Sequence, residues 1–354
     1  MSFIDTYPIT SSPKLKGVVS YVRAQKYDPT KTTALRNAFA RDMRKRFDAL
    51  QREINSLIVD QDAFGLRVPE SPETSLQVSK LTLHQPRKGV FAFPTSKEKV
   101  SGFMEWLQTR IDTGILEVHR MEQIGSSIDD AWTNMYVSDS YKRGVQRARH
   151  EMGRAGMKVP GMSETGGINA AMSNPFHMDR VGVLASRVYE DLKGITNQMA
   201  TQVNRVLSQG MIDGDGPRDI AMKLNQVISG GGDTLAIRDS IGRFVPAERR
   251  AETLARTEVI RAHHQGMIQE YKNWAIEGVV VQAEWITTDD DRVCEQCRQM
   301  TIGSDGQPRI YSLDEIQTLI PLHPNCRCIA LPVAADKAKD KAESFEGAIG
   351  KITR

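Results

Sequence analysis

Apolar residues recur every three or four positions along Leu35, Phe39, Met43, Phe47, Leu50, Ile54 and Leu57, which predicts an amphipathic helix of about 25 residues beginning at Thr33. A second periodic run, Val100, Phe103, Leu107 and Ile111, follows Thr95-Ser96-Lys97-Glu98, and the Thr-x-x-Glu form is a capping box that opens a helix. Thr113-Gly114 closes it. A third helix is expected through Trp132, Met135, Tyr136, Val145, Ala148 and Met152, capped by Ser127 or Asp129. The longest begins near Pro175 and reaches Gln209, with Leu184, Val188, Leu192, Ile195, Met199, Val203 and Leu207 as its apolar strip. The run Asp213-Gly214-Asp215-Gly216 is a turn and no calcium loop, because the spaced oxygen ligands ending in a distal Glu are missing. Pro217 then opens a helix over Ile220–Ile228, since a first-turn proline gives up no hydrogen bond. Glu248 to Ala275 is a further strong helix. Between these runs, residues 60–94 read as loop with one short strand at Leu76–Leu83. Residues 153–174 read as a Gly, Ser and Pro-rich loop, 233–245 as a small hairpin, and Asp305-Gly306 as a turn.

The period changes from Val281 onward, where alternation and β-branched residues predict a strand leading toward Cys294. Cys328-Ile329-Ala330-Leu331-Pro332 would return beside it. The expected fold is therefore α+β: a mainly helical N-terminal region with long helices and a small C-terminal α+β lobe stapled by a cysteine cluster. Residues 1–32 form an extended arm, 33–174 a helical region, 175–245 the long-helix region, 246–333 the C-terminal lobe and 334–354 a charged tail.

A chain of 354 residues, 40% apolar and 26% charged, has the make-up of a globular protein with ample length for a core. Its net charge of +3 is nearly neutral for this size and gives no support to strong overall nucleic-acid affinity, which would need a concentrated basic face. Basic residues do gather in one region, 14–52, from Lys14, Lys16 and Arg23 to Arg36, Arg41, Arg44, Arg46 and Arg52. That stretch could meet DNA phosphates, although a solvated helix face is the commoner meaning. No apolar run approaches the roughly 18 residues of a membrane span, and the N-terminus lacks the form of a signal peptide.

All four cysteines fall in one late window, Cys294 and Cys297 in a Cys-x-x-Cys and Cys326 and Cys328 in a Cys-x-Cys. A Cys-x-x-Cys turn gathers two thiols, and side chains two apart on a strand share a face, so a four-sulfur cage is easy to form. A structural zinc site, a pair of disulfides and four free thiols are the three readings. The first suits a reducing compartment. His323 is a fifth candidate, read as supporting the site or as an alternate ligand. Four soft ligands would close a zinc shell and leave no open catalytic position. Catalysis by Glu258, His263 and His264 is disfavoured, since the His-Glu-x-x-His spacing that sets two histidines one turn apart is absent. Glu258 and Arg261 can instead pair along the helix.

Taken in order, Ala255-Arg256-Thr257-Glu258, Arg261-Ala262, Trp285, Asp291-Arg292-Val293-Cys294, Cys297, Gly303, His323-Pro324-Asn325-Cys326-Arg327-Cys328 and Pro332-Val333 resemble the phage Mu F-like head morphogenesis family. The resemblance implies a structural minor head protein of a tailed bacteriophage, with no enzymatic activity in its core domain. It implies a place in the virion, at the capsid interior or portal vicinity, after assembly in the host cytoplasm. Partners would be the portal protein, the major capsid or scaffold protein, and DNA that the protein contacts or accompanies at ejection. In this family the Arg-Thr-Glu element looks like an internal polar latch to the cysteine lobe. Two other classes remain open. A zinc-supported His-Asn-His-like nuclease would use His323 and Asn325. A phage-associated toxin would need an appended enzyme, for which the residues after Val333 are too few.

Overall fold

The computed structural model describes residues 28–66, 89–123, 126–230, 245–288, 290–303 and 306–334. The strand expected at Leu76–Leu83, the hairpin at 233–245, the arm before residue 28 and the tail beyond 334 lie outside these residues. The protein is α+β, with a helical body and a small three-stranded sheet in the C-terminal lobe.

Helix α1 (Thr33–Asn55) runs on through a π-helical turn, Ser56–Asp60. Its stripe Phe39, Met43, Phe47, Leu50 and Ile54 is buried as the spacing requires. The opposite face is less free than its composition suggests. Arg36, expected among the solvated basic residues, is buried and paired with Asp28. Arg44 Nε donates to Glu252 Oε1 at 2.6 Å, and Arg46 pairs with Glu117 at 2.8 Å while lying 4.1 Å over the Trp132 ring. Arg41 and Arg52 stay exposed.

Helix α2 (Ser96–Arg110) opens on the expected capping box, with Thr95 Oγ1 accepting the Glu98 N–H at 3.2 Å and the Thr95 N–H donating to Glu98 Oε2 at 3.2 Å. It ends in a second π-helical turn, Ile111–Ile115. The cap expected at Ser127 or Asp129 is wrong. Both residues lie in β2 (Ser126–Ala131), which pairs antiparallel with β1 (Val118–Gln123), and helix α3 (Asn134–Arg154) begins after Thr133. The ladder with the preceding segment takes up the backbone that a helix start would have used, and local side-chain chemistry could not reveal that pairing. A short helix, α4 (Gly167–Met172), interrupts the expected loop.

Helix α5 (Pro175–Asp213) starts where Asn174 accepts the Phe176 N–H at 3.0 Å and stops at Gly214, whose φ of 73° only glycine adopts without strain. Of its predicted strip, Leu184, Val188, Leu192, Met199, Val203 and Leu207 are buried and Ile195 partly so. Helix α6 (Pro217–Ile228) follows with its proline in the first turn.

Helix α7 (Ala247–Ile276) is shared by two cores. Ala251, Ala255, Val259 and Ala262 join the apolar cluster of the body, whereas Ile260, Met267, Ile268 and Tyr271 join that of the lobe. A helix with apolar residues on several faces must be enclosed, and α3 and α1 cover it. The α3–α7 crossing is a backbone contact. A Cβ on Gly144 would fall 2.1 Å from His263 O and one on Gly266 2.4 Å from Tyr141 O, so only glycine fits at either place. A buried polar network pins the start of α5 to the same pair of helices. Glu270 accepts from Arg149 Nε and Trp274 Nε1, each at 2.8 Å, and meets His177 Nε2 at 3.3 Å. Burial pushes the Glu270 carboxyl up, but its hydrogen bond with His177 and the nearby Arg149 charge outweigh that and hold it below its ordinary value.

In the lobe, β3 (Val281–Ile286) is the middle strand, antiparallel to β4 (Ile310–Tyr311) and to β5 (Ile329–Ala334). Trp285 faces Ala330 and Ile286 faces Ile329, so the chain leaving β3 and the chain entering β5 meet at one end of the sheet.

Candidate metal centre

That sheet end gathers the cysteines. Beyond β3, Cys294 caps helix α8 (Glu295–Gln299), and its Sγ accepts the Cys297 N–H at 3.4 Å. On the returning side, Asn325 takes a left-handed φ of 60° and the Cys326 N–H donates to His323 O at 3.1 Å, which turns the chain sharply into β5. Cys297, Cys326 and Cys328 are buried, and Cys294 is half-buried.

Donor atoms fall into two groups, Cys294, Cys297 and His323 in one and Cys297, Cys326 and Cys328 in the other, with every pair inside a group within 4.8 Å. Cys297 belongs to both. No disulfide joins the four thiols, and Cys297 Sγ and Cys326 Sγ stand 4.0 Å apart where a bond would need about 2.05 Å. His323 is a full member of the set: its Nε2 lies 3.2 Å from Cys294 Sγ and 3.1 Å from Cys297 Sγ. Its Nδ1 lies 2.8 Å from Pro324 O, so Nδ1 carries the proton and Nε2 presents a lone pair to the sulfurs. Hydrogen bonds from Cys297 and Cys328 hold the Cys326 thiol well below its usual range, and the same shared protons together with burial push Cys297 well above. Soft sulfur donors beside an imidazole lone pair, closely spaced and enclosed, could hold a metal ion of the zinc or copper(I) type in place of those protons.

Neighbouring side chains fix the loops that carry these donors. Arg327, between the two cysteines of Cys-x-Cys, forks onto Asp290 just upstream of Cys-x-x-Cys, with Nη1 to Oδ2 at 2.6 Å and Nη2 to Oδ1 at 2.7 Å. Arg327 donating to Asp290 holds its carboxyl far below the carboxylate range. This bridge between the two motifs went unrecognised in the sequence, although an acidic run before one cysteine pair and an arginine inside the other were its visible signal.

The latch expected of the Arg-Thr-Glu element is present at Thr257, whose Oγ1 accepts the Asn325 N–H at 3.0 Å. Two turns on, the adjacent His264 and Gln265 donate from Nε2 to Ile316 O at 2.9 Å and to Gln317 O at 2.8 Å, both in helix α9 (Leu313–Leu319). Helix α7 therefore grips the lobe along its length. Glu258 pairs with Arg261 at 3.0 Å, as their spacing foretold. Burial pushes His263 down to about 3 and His264 down to about 4, so both are neutral in the folded protein.

No helix among the described residues is long and apolar enough to cross a membrane. No curated protein and no solved structure matches the chain. Residues 201–331, from the second half of α5 to β5, match the family model for Phage Mu protein F like protein, so the stretch that builds and grips the thiol cluster is Mu F-like.

Proposed function

We propose that the protein is a minor head protein of a tailed bacteriophage, incorporated during head morphogenesis next to the portal and the capsid or scaffold, and that a zinc ion closes its C-terminal lobe. The observation that carries this reading is the Mu F-like match over the region whose elements converge on the thiol cluster. Family membership suggests a phage head protein and a virion location; the portal, capsid and scaffold as direct partners are the finer part of the proposal. The long helices supply docking surface, for which the exposed Phe176 and Val183 on one face of α5 are candidates. The zinc is structural: four donors taken from Cys294, Cys297, Cys326, Cys328 and His323 fill its shell, so the lobe gains rigidity and no open position for substrate.

The absence of a catalytic centre belongs to the same reading. It is supported by His323, whose Nε2 faces two sulfurs, and by Glu258, which is engaged with Arg261. DNA contact through region 14–52 is narrowed by the pairing of Arg36, Arg44 and Arg46 within the protein, and among the described residues it falls to the exposed Lys31, Arg41, Lys45 and Arg52, of which Lys45 pairs with Asp42 at 3.4 Å.

The test is mass spectrometry of purified heads from infections in which the chain is wild type or carries Phe176→Ser with Val183→Ser. The reading expects the wild-type chain in heads in few copies and the variant strongly reduced. Absence of the wild-type chain from heads would refute the head assignment, and an equally incorporated variant would remove the docking role of α5. Deleting residues 1–60 is a poor alternative, because it removes the buried stripe of α1 and with it part of the core.

A further inference from the structure

Trp285 is the largest fully buried side chain of the lobe, 1% exposed, and packs its ring 6.3 Å from that of Tyr311. Its indole N–H has no hydrogen-bond partner among the described residues. A buried donor left without a partner is costly, and phenylalanine would fill much of the same space without that cost. The strand register shows what stands on its side. Trp285 on β3 is opposite Ala330 on β5, and Cys328, two residues before Ala330, shares that face of the strand at the diagonal position a long side chain can reach. By that register the Cys328 sulfur is the acceptor that the unpartnered indole N–H is placed to serve. A neutral thiol is a weak acceptor, whereas a thiolate carries the charge that makes an N–H···S bond strong.

We propose that the Trp285 indole N–H is a positioning donor for the metal-bound thiolate of Cys328, which commits Cys328 to the inner set of ligands among the five candidate donors. This rests on the zinc reading of the cluster. The donor compensates charge on a sulfur that is otherwise walled in by apolar residues, and it holds the Cys-x-Cys arm against β3. Groups that hydrogen-bond to metal ligands in this way typically contribute 10–100-fold to metal affinity.

The test uses the full chain and zinc alone. Competition with a chromophoric chelator compares wild type with Trp285→Phe, and the indole N–H resonance of Trp285 is followed in isotope-labelled wild type as zinc is removed and restored. The expected result is about ten-fold weaker zinc binding by Trp285→Phe, and a Trp285 resonance that moves downfield on zinc loading. Affinity within two-fold of wild type, with a resonance indifferent to zinc, would overturn the assignment while leaving the zinc site intact. Failure of wild type to bind zinc at all would remove the metal reading, and this one with it. Should Trp285→Phe not fold, the wild-type resonance decides.

Discussion

The helical body and the C-terminal lobe hold themselves together by different means. In the body, α1 and α5 each bury a long apolar stripe, and aromatic contacts such as Phe39 stacked 4.3 Å from Tyr136 fill the space between helices. Area burial, at about 25 cal/mol per Å², is the main means there, with the Glu270 network pinning the start of α5. Among its described residues the lobe has only three strands, one of them two residues long, and two short helices. It adds a thiol cluster, an Arg327–Asp290 fork and a set of side-chain bonds reaching over from α7. A small unit with little apolar area needs such staples, and the lesson is that one helix, α7, lets both solutions coexist by serving as wall for each.

The sharpest way to break the contrast is to remove the clasp. Chelation of metal-loaded protein, or Cys297→Ser, which strikes the donor common to both groups, should cost the lobe more than about 3 kcal/mol, a fraction of what structural zinc contributes in isolated fingers. Hydrogen exchange should show residues 281–334 losing protection while α1 and α5 keep theirs. Uniform loss across both regions would mean that the two cores are one cooperative unit.

Next in size is the joint between α3 and α7. Gly266→Ala pushes a methyl group into Tyr141 O and should cost about 1–3 kcal/mol or more, with body and lobe weakened together, as read by the denaturation midpoint. Little change would show that the two helices can separate freely.

Acid should act on α7 as well. His263 and His264 have folded pKa values near 3 and 4 against an unfolded value near 6.5, so the unfolded chain binds more protons below pH 6.5. Stability is whole above that pH and falls as pH drops through the window from 6.5 to about 4, with a slope approaching 1.4 kcal/mol per pH unit for each histidine. Denaturant midpoints of metal-free protein between pH 7 and 5 check this, since metal loss would otherwise add its own acid sensitivity. The smallest effect is expected at the latch: Thr257→Val leaves the Asn325 N–H without its acceptor and should cost about 1 kcal/mol, felt in lobe exchange rates and hardly in the body.

Much of the architecture was legible because it depends on short-range patterns. The stripes of α1 and α5, the Thr95 capping box, the proline and glycine that bound α5 and α6, and the alternation of β3 each reflect the period of a single element. The gathering of Cys294, Cys297, Cys326 and Cys328 was legible too, since antiparallel strands flanking the two motifs leave their loops at a common end. Beyond that gathering, the sequence did not specify what needed a partner from elsewhere in the chain. Whether Ser126–Ala131 is strand or helix turned on the residues opposite it, and Arg36 proved buried because Asp28 was there to neutralise it. The approach of His323 Nε2 to two sulfurs likewise depended on how two distant loops meet, and the placing of Trp285 beside the Cys-x-Cys arm on the register of β3 against β5. Periodicity and capping are local free energies that a chain carries in its order of residues, whereas charge pairing and ligand geometry exist only between surfaces that folding has brought together.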